Sequence, residues 1–242
     1  MLTISEVVRA TQGILLRGNP AATIKNVSID SRTVKPGNLF IAIRGERFDG
    51  HDFIHQAVEK SAGAIVVSEK NTRPKNNIPV ICVKDTTKAL GQIARFYRDK
   101  FSIPVIAVTG STGKTTAKEM IAAVLKSRYR IIKNIATQNN QIGVPLTLLK
   151  LNHTHGAAVV ELGTNHFGEM EWLTYIANPT VAVLTNIGES HLEFLKSPAG
   201  VFREKSALIT HMQKPGYVVF NNDDSYLWKI KAKKIARYLS TF

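Results

Sequence analysis

The sequence predicts an α/β protein: a small N-terminal α/β domain, then a phosphate-loop domain built on a doubly wound, mostly parallel sheet. Three observations predict it. Apolar runs of strand length alternate with amphipathic helical stretches. The runs Ala157–Val160 and Val181–Thr185 are apolar on successive positions, as strands covered on both faces must be. A glycine-rich turn joins strand to helix at Val105–Thr116, the local signature of a phosphate-binding loop.

The elements come in this order. Val27–Ile29 and Leu39–Ile43 read as short strands, and Asp52–Ser61 as a helix. Ala64–Val67 and Val80–Val83 are further strand-length apolar runs, separated by the Asn-, Pro- and Lys-rich loop Asn71–Pro79. Thr86–Phe101 is a helix with Leu90, Ile93, Ala94 and Tyr97 on one face. Pro104–Val108 is a buried-type strand, and Lys114–Tyr129 a helix whose apolar stripe is Met120, Ile121, Val124 and Leu125. Beyond Val181–Thr185, Tyr217–Phe220 reads as a strand and Ala236–Leu239 as a further candidate. The pattern becomes more regular after the Thr86–Phe101 helix, and the chain is split near Asp85, with residues 1–84 assigned to the first domain and 85–242 to the second.

Composition narrows the class. With 242 residues, 44% hydrophobic and 21% charged, the chain can bury two modest cores. The single Cys82 cannot form an internal disulfide and sits in an apolar run, so a buried strand residue is expected. There is no basic segment leading into an apolar signal core, and no apolar run long enough to span a bilayer; a cytoplasmic protein is expected. The net charge of +14 favours phosphorylated small molecules, nucleic acid or membrane surfaces. Its densest part, Lys229, Lys231, Lys233, Lys234 and Arg237, has the spacing of a solvated helix face, and no nucleic-acid module is visible.

In the loop, Gly110 and Gly113 let the backbone curl so that successive N–H groups of Gly110–Thr116 point at one phosphate chain. The helix start adds unpaired N–H groups and the positive dipole end. Lys114 can reach the outer phosphates of ATP, and the Thr115 hydroxyl can ligate Mg²⁺. Lys114 is expected to face solvent before a ligand arrives. The strict spacing of the generic motif would place glycine at position 108, where this chain has Val108.

With Thr109-Gly110-Ser111-Thr112-Gly113-Lys114-Thr115-Thr116 the chain begins to resemble the Mur ligase family. Ile29–Gly37, Arg44–Phe53, Asn139–Leu149, Val160–His166 and Thr185–Glu193 carry the resemblance further, in family order. They look most like the member that joins D-alanyl-D-alanine to UDP-N-acetylmuramoyl-tripeptide. The resemblance implies that ATP phosphorylates the tripeptide's terminal carboxylate and that the dipeptide amine attacks the acyl phosphate. It assigns Mg²⁺ to Glu161, which also lies at the sheet edge where ligands bind in open α/β folds, and a second Mg²⁺ to His191. By the same resemblance Lys205 aligns with a lysine that many members carboxylate, although Ser206-Ala207 departs from the usual Gly-Glu. Ser31 and Arg32 are implied to hold the uridine diphosphate, an arginine fork matching a diphosphate. Asn139 and Asn140 are implied to approach nucleotide and substrate, and Asn165 to contact substrate. Family members are monomers with a third domain that closes the site. Its sequence, with the adenine-binding stretch, is not found before Phe242, so a truncated chain, inactive alone, is expected.

Three other readings compete. A sibling ligase would add a different amino acid. A nucleotide-binding remnant would not catalyse. A basic nucleic-acid-associated phosphate-loop protein has only the charge in its favour.

Overall fold

A computed structural model describes residues 1–72, 74, 77–135, 138–232 and 238–241. Lys233, Lys234 and Arg237 of the basic cluster, the start of the last candidate strand and part of the Asn71–Pro79 loop lie outside them. Contacts divide the chain into two compact units, Met1–Tyr97 and Arg98–Phe242.

The first unit contains β1 (Leu2–Thr3), α1 (Ile4–Thr11), β2 (Ile14–Arg17), β3 (Thr23–Ile24), β4 (Asn26–Ser28) and β5 (Asn38–Ile41). There follow α2 (Ile54–Glu59), β6 (Ala64–Val67), β7 (Val80–Cys82) and α3 (Thr86–Arg98). Five strands form a sheet in the order β2-β7-β6-β5-β4, parallel except for β2. Every residue of β5, β6 and β7 is buried, Cys82 included, as expected of strands covered on both faces. The expected helix over Asp52–Ser61 is a 3₁₀ turn, Gly50–Phe53, running into the shorter α2.

The contact division differs from the expected 84/85 boundary in where it puts α3. Helix α3 packs with the first unit: Leu90, Ile93 and Ala94 are fully buried, and Arg9 of α1 lies over the Phe96 ring at 5.0 Å. A turn-rich linker marks a change of pattern, but burial decides to which core a helix belongs.

The second unit contains β8 (Val105–Thr109), α4 (Lys114–Leu125), β9 (Ile131–Lys133), α5 (Gly143–Leu148), β10 (Ala157–Glu161) and α6 (Glu169–Ala177). Then come β11 (Val181–Leu184), α7 (Leu192–Leu195), α8 (Pro198–His211), β12 (Tyr217–Phe220), α9 (Trp228–Ala232) and β13 (Tyr238–Thr241). The six strands are all parallel, in the order β13-β12-β11-β8-β10-β9. The chain leaves β8 for one side of the sheet and returns to its other side at β11, so β8 sits at the topological switch where such folds bind ligands. Ile106, Val108, Ala157, Val159 and Val183 pack with Ala117, Ile121, Ala122 and Leu125 of α4. The alternate residues Val105, Ala107, Ala158, Val160, Ala182 and Leu184 are also fully buried, on the opposite face. Among the described residues, no helix is long and apolar enough to cross a membrane.

The stripe expected on α4 is corrected. Met120 and Val124 are 64% and 72% exposed, while the buried face carries Lys118 and Ala122. Ile121 and Leu125 of the expected stripe do pack on the sheet; the face is rotated so that Lys118 and Ala122 join them in place of Met120 and Val124. A lysine occupies a core position here because its ammonium finds partners inside the unit.

Candidate functional site

The site is built where β8 ends. Gly110 has φ +152°, and a Cβ there would lie 1.9 Å from Thr185 Oγ1; only glycine lets the loop pass that close. Gly113, at φ +75°, caps α4, which starts at Lys114. The N–H groups of Lys114, Thr115 and Thr116 therefore have no carbonyl one turn earlier to bond.

The loop is buckled to the segment that follows β11. Thr185 Oγ1 donates to the Thr112 carbonyl at 2.6 Å. The Asn186 side chain accepts from Thr112 N–H at 2.9 Å and donates to Thr112 Oγ1 at 2.7 Å, while its carbonyl accepts from Ser111 N–H. Ser111 Oγ in turn accepts from Gly188 N–H at 2.8 Å. The N–H groups of Ser111 and Thr112 are thus already bonded, and the phosphate cradle narrows to the helix start. The sequence singled out Thr185–Glu193 for His191 and missed Thr185 and Asn186.

Lys114 does not face solvent, contrary to expectation. Its Nζ folds back onto the carbonyls of Gly110 at 2.8 Å and Ser111 at 3.2 Å. Burial lowers its pKa, with the charge of Glu161 opposing. An ammonium without a phosphate beside it takes the nearest acceptors, here the loop's own carbonyls.

Glu161 is the last residue of β10 and is buried. Register places it beside Val108, level with the start of the loop. Thr115 Oγ1 donates to its Oε2 at 2.7 Å, and Asn139 Nδ2 donates to its Oε1 at 2.8 Å. The Lys118 ammonium, fully buried, lies 3.9 Å from Oε2 and donates to the Asn134 carbonyl at 2.9 Å. Lys118 and Asn134 were also missed by sequence reasoning; a lysine on the same helix face as Ile121 and Leu125 was the available signal. Asn140 does not join its neighbour: its Oδ1 accepts from the N–H groups of Ile142 and Gly143, opening α5.

Lys205, on α8, is 1% exposed. Burial brings its pKa down to about 8, with the nearby charge of Lys114 adding to the effect and Glu204 opposing it. Glu204 is itself buried and accepts from the N–H groups of Gly168 and Met170, capping α6. His191 and Asn165 are exposed. His191 takes a left-handed conformation, φ 52°, ahead of α7, and Asn165 N–H donates to Glu169 at 2.6 Å. Among the described residues, no hydrogen bond links either side chain to Glu161 or Thr115.

The first unit has its own cleft of about 500 Å³, lined among others by Ser31, Arg32, Ile43, Phe48, Phe53 and Gln56. Ser31 is buried and its hydroxyl bonds Gln56 Oε1. Arg32, 80% exposed, forks onto Asp30. That fork holds the Asp30 carboxyl at about 2. Asp49, His51 and Glu69 converge closely enough for a metal. Arg44 already bridges Asp49 and Glu69, and His51 bonds Asp49 and Ser68, so the cluster is closed by internal partners.

A strand–turn–helix whose lysine and threonine gather about a buried carboxylate, at the C-terminal edge of a parallel sheet, defines a phosphate-loop α/β protein. Comparison with known proteins narrows the class. Residues 108–242 match the Mur ligase middle domain, and residues 23–98 match the description Mur ligase family, catalytic domain. The chain belongs to the Mur ligase family. It is 40% identical over 245 aligned residues to the UDP-N-acetylmuramoyl-tripeptide--D-alanyl-D-alanine ligase of Buchnera aphidicola, covering 100% of this chain and 53% of that one. A crystal structure of MurF from Acinetobacter baumannii superposes with a TM-score of 0.90 at 34% identity, over 99% of this chain and 53% of that chain. MurF ligase from Thermotoga maritima, in complex with ADP, gives 0.80 at 33% identity, over 89% and 49%. The chain spans about half the length of the curated relatives it matches.

Proposed function

We propose that the protein carries the UDP-substrate and ATP sites of a cytoplasmic ligase joining D-alanyl-D-alanine to UDP-N-acetylmuramoyl-tripeptide. The observation that carries the reading is the meeting of Thr115 and Asn139 on the Glu161 carboxylate, beside the phosphate loop. A hydroxyl and a carboxylate are the hard oxygen donors that suit Mg²⁺, which keeps several waters. The residues therefore fit the cation that a phosphoryl-transfer site needs. Bound there, Mg²⁺ would supply charge neutralisation between polyphosphate and carboxylate.

The chain's own residues do the rest. The helix start of α4 receives the phosphates, and Lys114 leaves the Gly110 and Ser111 carbonyls to meet their outer oxygens. A carboxylate oxygen of the tripeptide then bonds the γ-phosphorus as the bond to the β–γ bridging oxygen breaks, releasing ADP. The dipeptide amine next bonds the acyl carbon, phosphate leaves with the electron pair of the C–O bond, and the nitrogen gives up a proton. Lys205, buried with a pKa about 8, holds an appreciable neutral fraction at mildly alkaline pH. A neutral amine can take up CO₂ and release a proton to form a carbamate, turning a cation into an anion beside Lys114. In the first unit, Arg32 and Ser31 would hold the diphosphate, with Phe48 and Phe53 offering aromatic surface to the base. The 1–84 and 85–242 division of roles carries over with α3 moved to the substrate-binding unit. His191 and Asn165 are proposed as contacts of a second cation and of substrate.

Calorimetry tests the reading. The chain is titrated with UDP-N-acetylmuramoyl-tripeptide, with the corresponding dipeptide nucleotide, and with a non-hydrolysable ATP analogue plus Mg²⁺. The reading expects the tripeptide nucleotide and the analogue to bind. Preference for the dipeptide nucleotide would favour a sibling ligase, and no binding of any would remove the proposal.

A further inference from the structure

We propose that Asn134 is a positioning residue for the cation site, acting through Glu161; this rests on the reading of that site given above. Strand β9 ends at Lys133, and the last backbone pairing places Lys133 beside Val159 of β10. The main chain then leaves the sheet, yet β10 continues to Glu161 without a neighbouring strand on that side. The side-chain amide of Asn134 takes the strand's place. Its Oδ1 accepts from Glu161 N–H at 2.9 Å, and its Nδ2 donates to the Glu161 carbonyl at 2.9 Å. The same Nδ2 donates to the Gln138 carbonyl at 2.8 Å.

One buried amide thereby fixes two things that must agree. It holds both backbone groups of Glu161, which sets where the carboxylate starts. It also ties down Gln138, the residue before Asn139, whose amide reaches the far oxygen of that carboxylate. From the helix side, fully buried Lys118 donates to the Asn134 carbonyl at 2.9 Å and so joins α4, the helix that carries Thr115, to the same clamp. Asn134, Lys118 and Glu161 are buried, where a lost partner is left unpaired and a satisfied network holds its geometry. Groups that orient a metal ligand in this way set the affinity for the metal as well as the fold.

The test measures binding of a non-hydrolysable ATP analogue to Asn134→Ala across a Mg²⁺ series and in EDTA, with thermal melting recorded alongside. The expected result is a rise of about 10–100-fold in the Mg²⁺ needed for half-maximal binding, with affinity in EDTA unchanged. Val218→Ala, a core truncation on β12, serves as the stability control and should melt earlier without moving the Mg²⁺ requirement. If Asn134→Ala does not fold, Asn134→Ser, whose hydroxyl keeps part of the bonding, takes the same measurement. An unchanged Mg²⁺ requirement, or equal weakening with and without Mg²⁺, makes Asn134 a purely structural residue and overturns the proposal. Failure of the unsubstituted chain to bind the analogue with Mg²⁺ removes the reading of the site, and the inference with it.

Discussion

The hydroxyl of Thr115 donates a 2.7 Å hydrogen bond to Oε2 of Glu161, across 46 positions of sequence. One residue lies in the first turn of α4, and the other ends β10. Parallel pairing of β10 with β8 brings them to the same edge of the sheet. In the site proposed above, these two oxygens would hold the cation, and the Thr115 hydroxyl would then give up this hydrogen bond.

Glu161→Ala and Thr115→Val are therefore expected to act on the cation. In an enzyme completed by the third domain, turnover should fall by about 10²–10³-fold for Glu161→Ala, and Thr115→Val should raise the Mg²⁺ requirement. His191→Ala should also slow turnover if its exposed side chain serves a second cation. Steady-state rates across a Mg²⁺ series decide: full activity of all three variants at every concentration would make these side chains structural.

Lys114→Ala separates chemistry from folding. Nζ now bonds two loop carbonyls, so its removal should change stability by only about 1 kcal/mol. In an enzyme completed by the third domain, phosphate release should drop by at least about 10²-fold. Near-normal turnover in a folded variant would rule out a phosphate-screening role.

Lys205 makes a pH-dependent contribution whose sign follows from its pKa of about 8 against the ordinary 10.5. Below pH 8 the unfolded and folded chains both carry the proton, and the cost of burying the charge is fully present. Between pH 8 and 10.5 the unfolded chain binds more protons, so stability rises with pH, by on the order of 3 kcal/mol in all. Lys205→Met should flatten that rise in denaturant melts. In activity assays of an enzyme completed by the third domain, Lys205→Ala should lose turnover and regain part of it with short carboxylic acids, which replace a carbamate. A flat pH response in the unsubstituted protein together with no rescue would leave Lys205 as a packing residue.

Arg32→Ala should weaken binding of the UDP substrate by about 10–100-fold, the worth of a charge-assisted bond, without lowering the melting temperature. The side chain is 80% exposed and, among the described residues, its partner is Asp30. Arg32→Lys should restore little, because a point charge cannot fork onto two oxygens. Unchanged calorimetric affinity in both variants would move the diphosphate elsewhere in the cleft.

The sequence by itself determined the local units and the family. Apolar runs on successive positions announced the parallel strands β6, β7, β10 and β11, and glycines at 110 and 113 announced the turn at β8, since both signals depend only on neighbours in the chain. Short elements such as β1, β3, β9 and α7 gave no periodic signal to read. Tertiary structure alone decided which side chains converge. Periodicity gives a helix face but not its exact centre against a sheet, so Met120 and Val124 were placed inside while buried Lys118 was not singled out. A buried ammonium is stable only where acceptors are buried with it, and two of those acceptors, Asn134 just after β9 and Glu161 at the end of β10, come from elsewhere in the chain. The same reason separates Asn139 from Asn140: identical neighbours in sequence, one is turned to the carboxylate and the other to the start of α5 by the path of the backbone between β9 and α5.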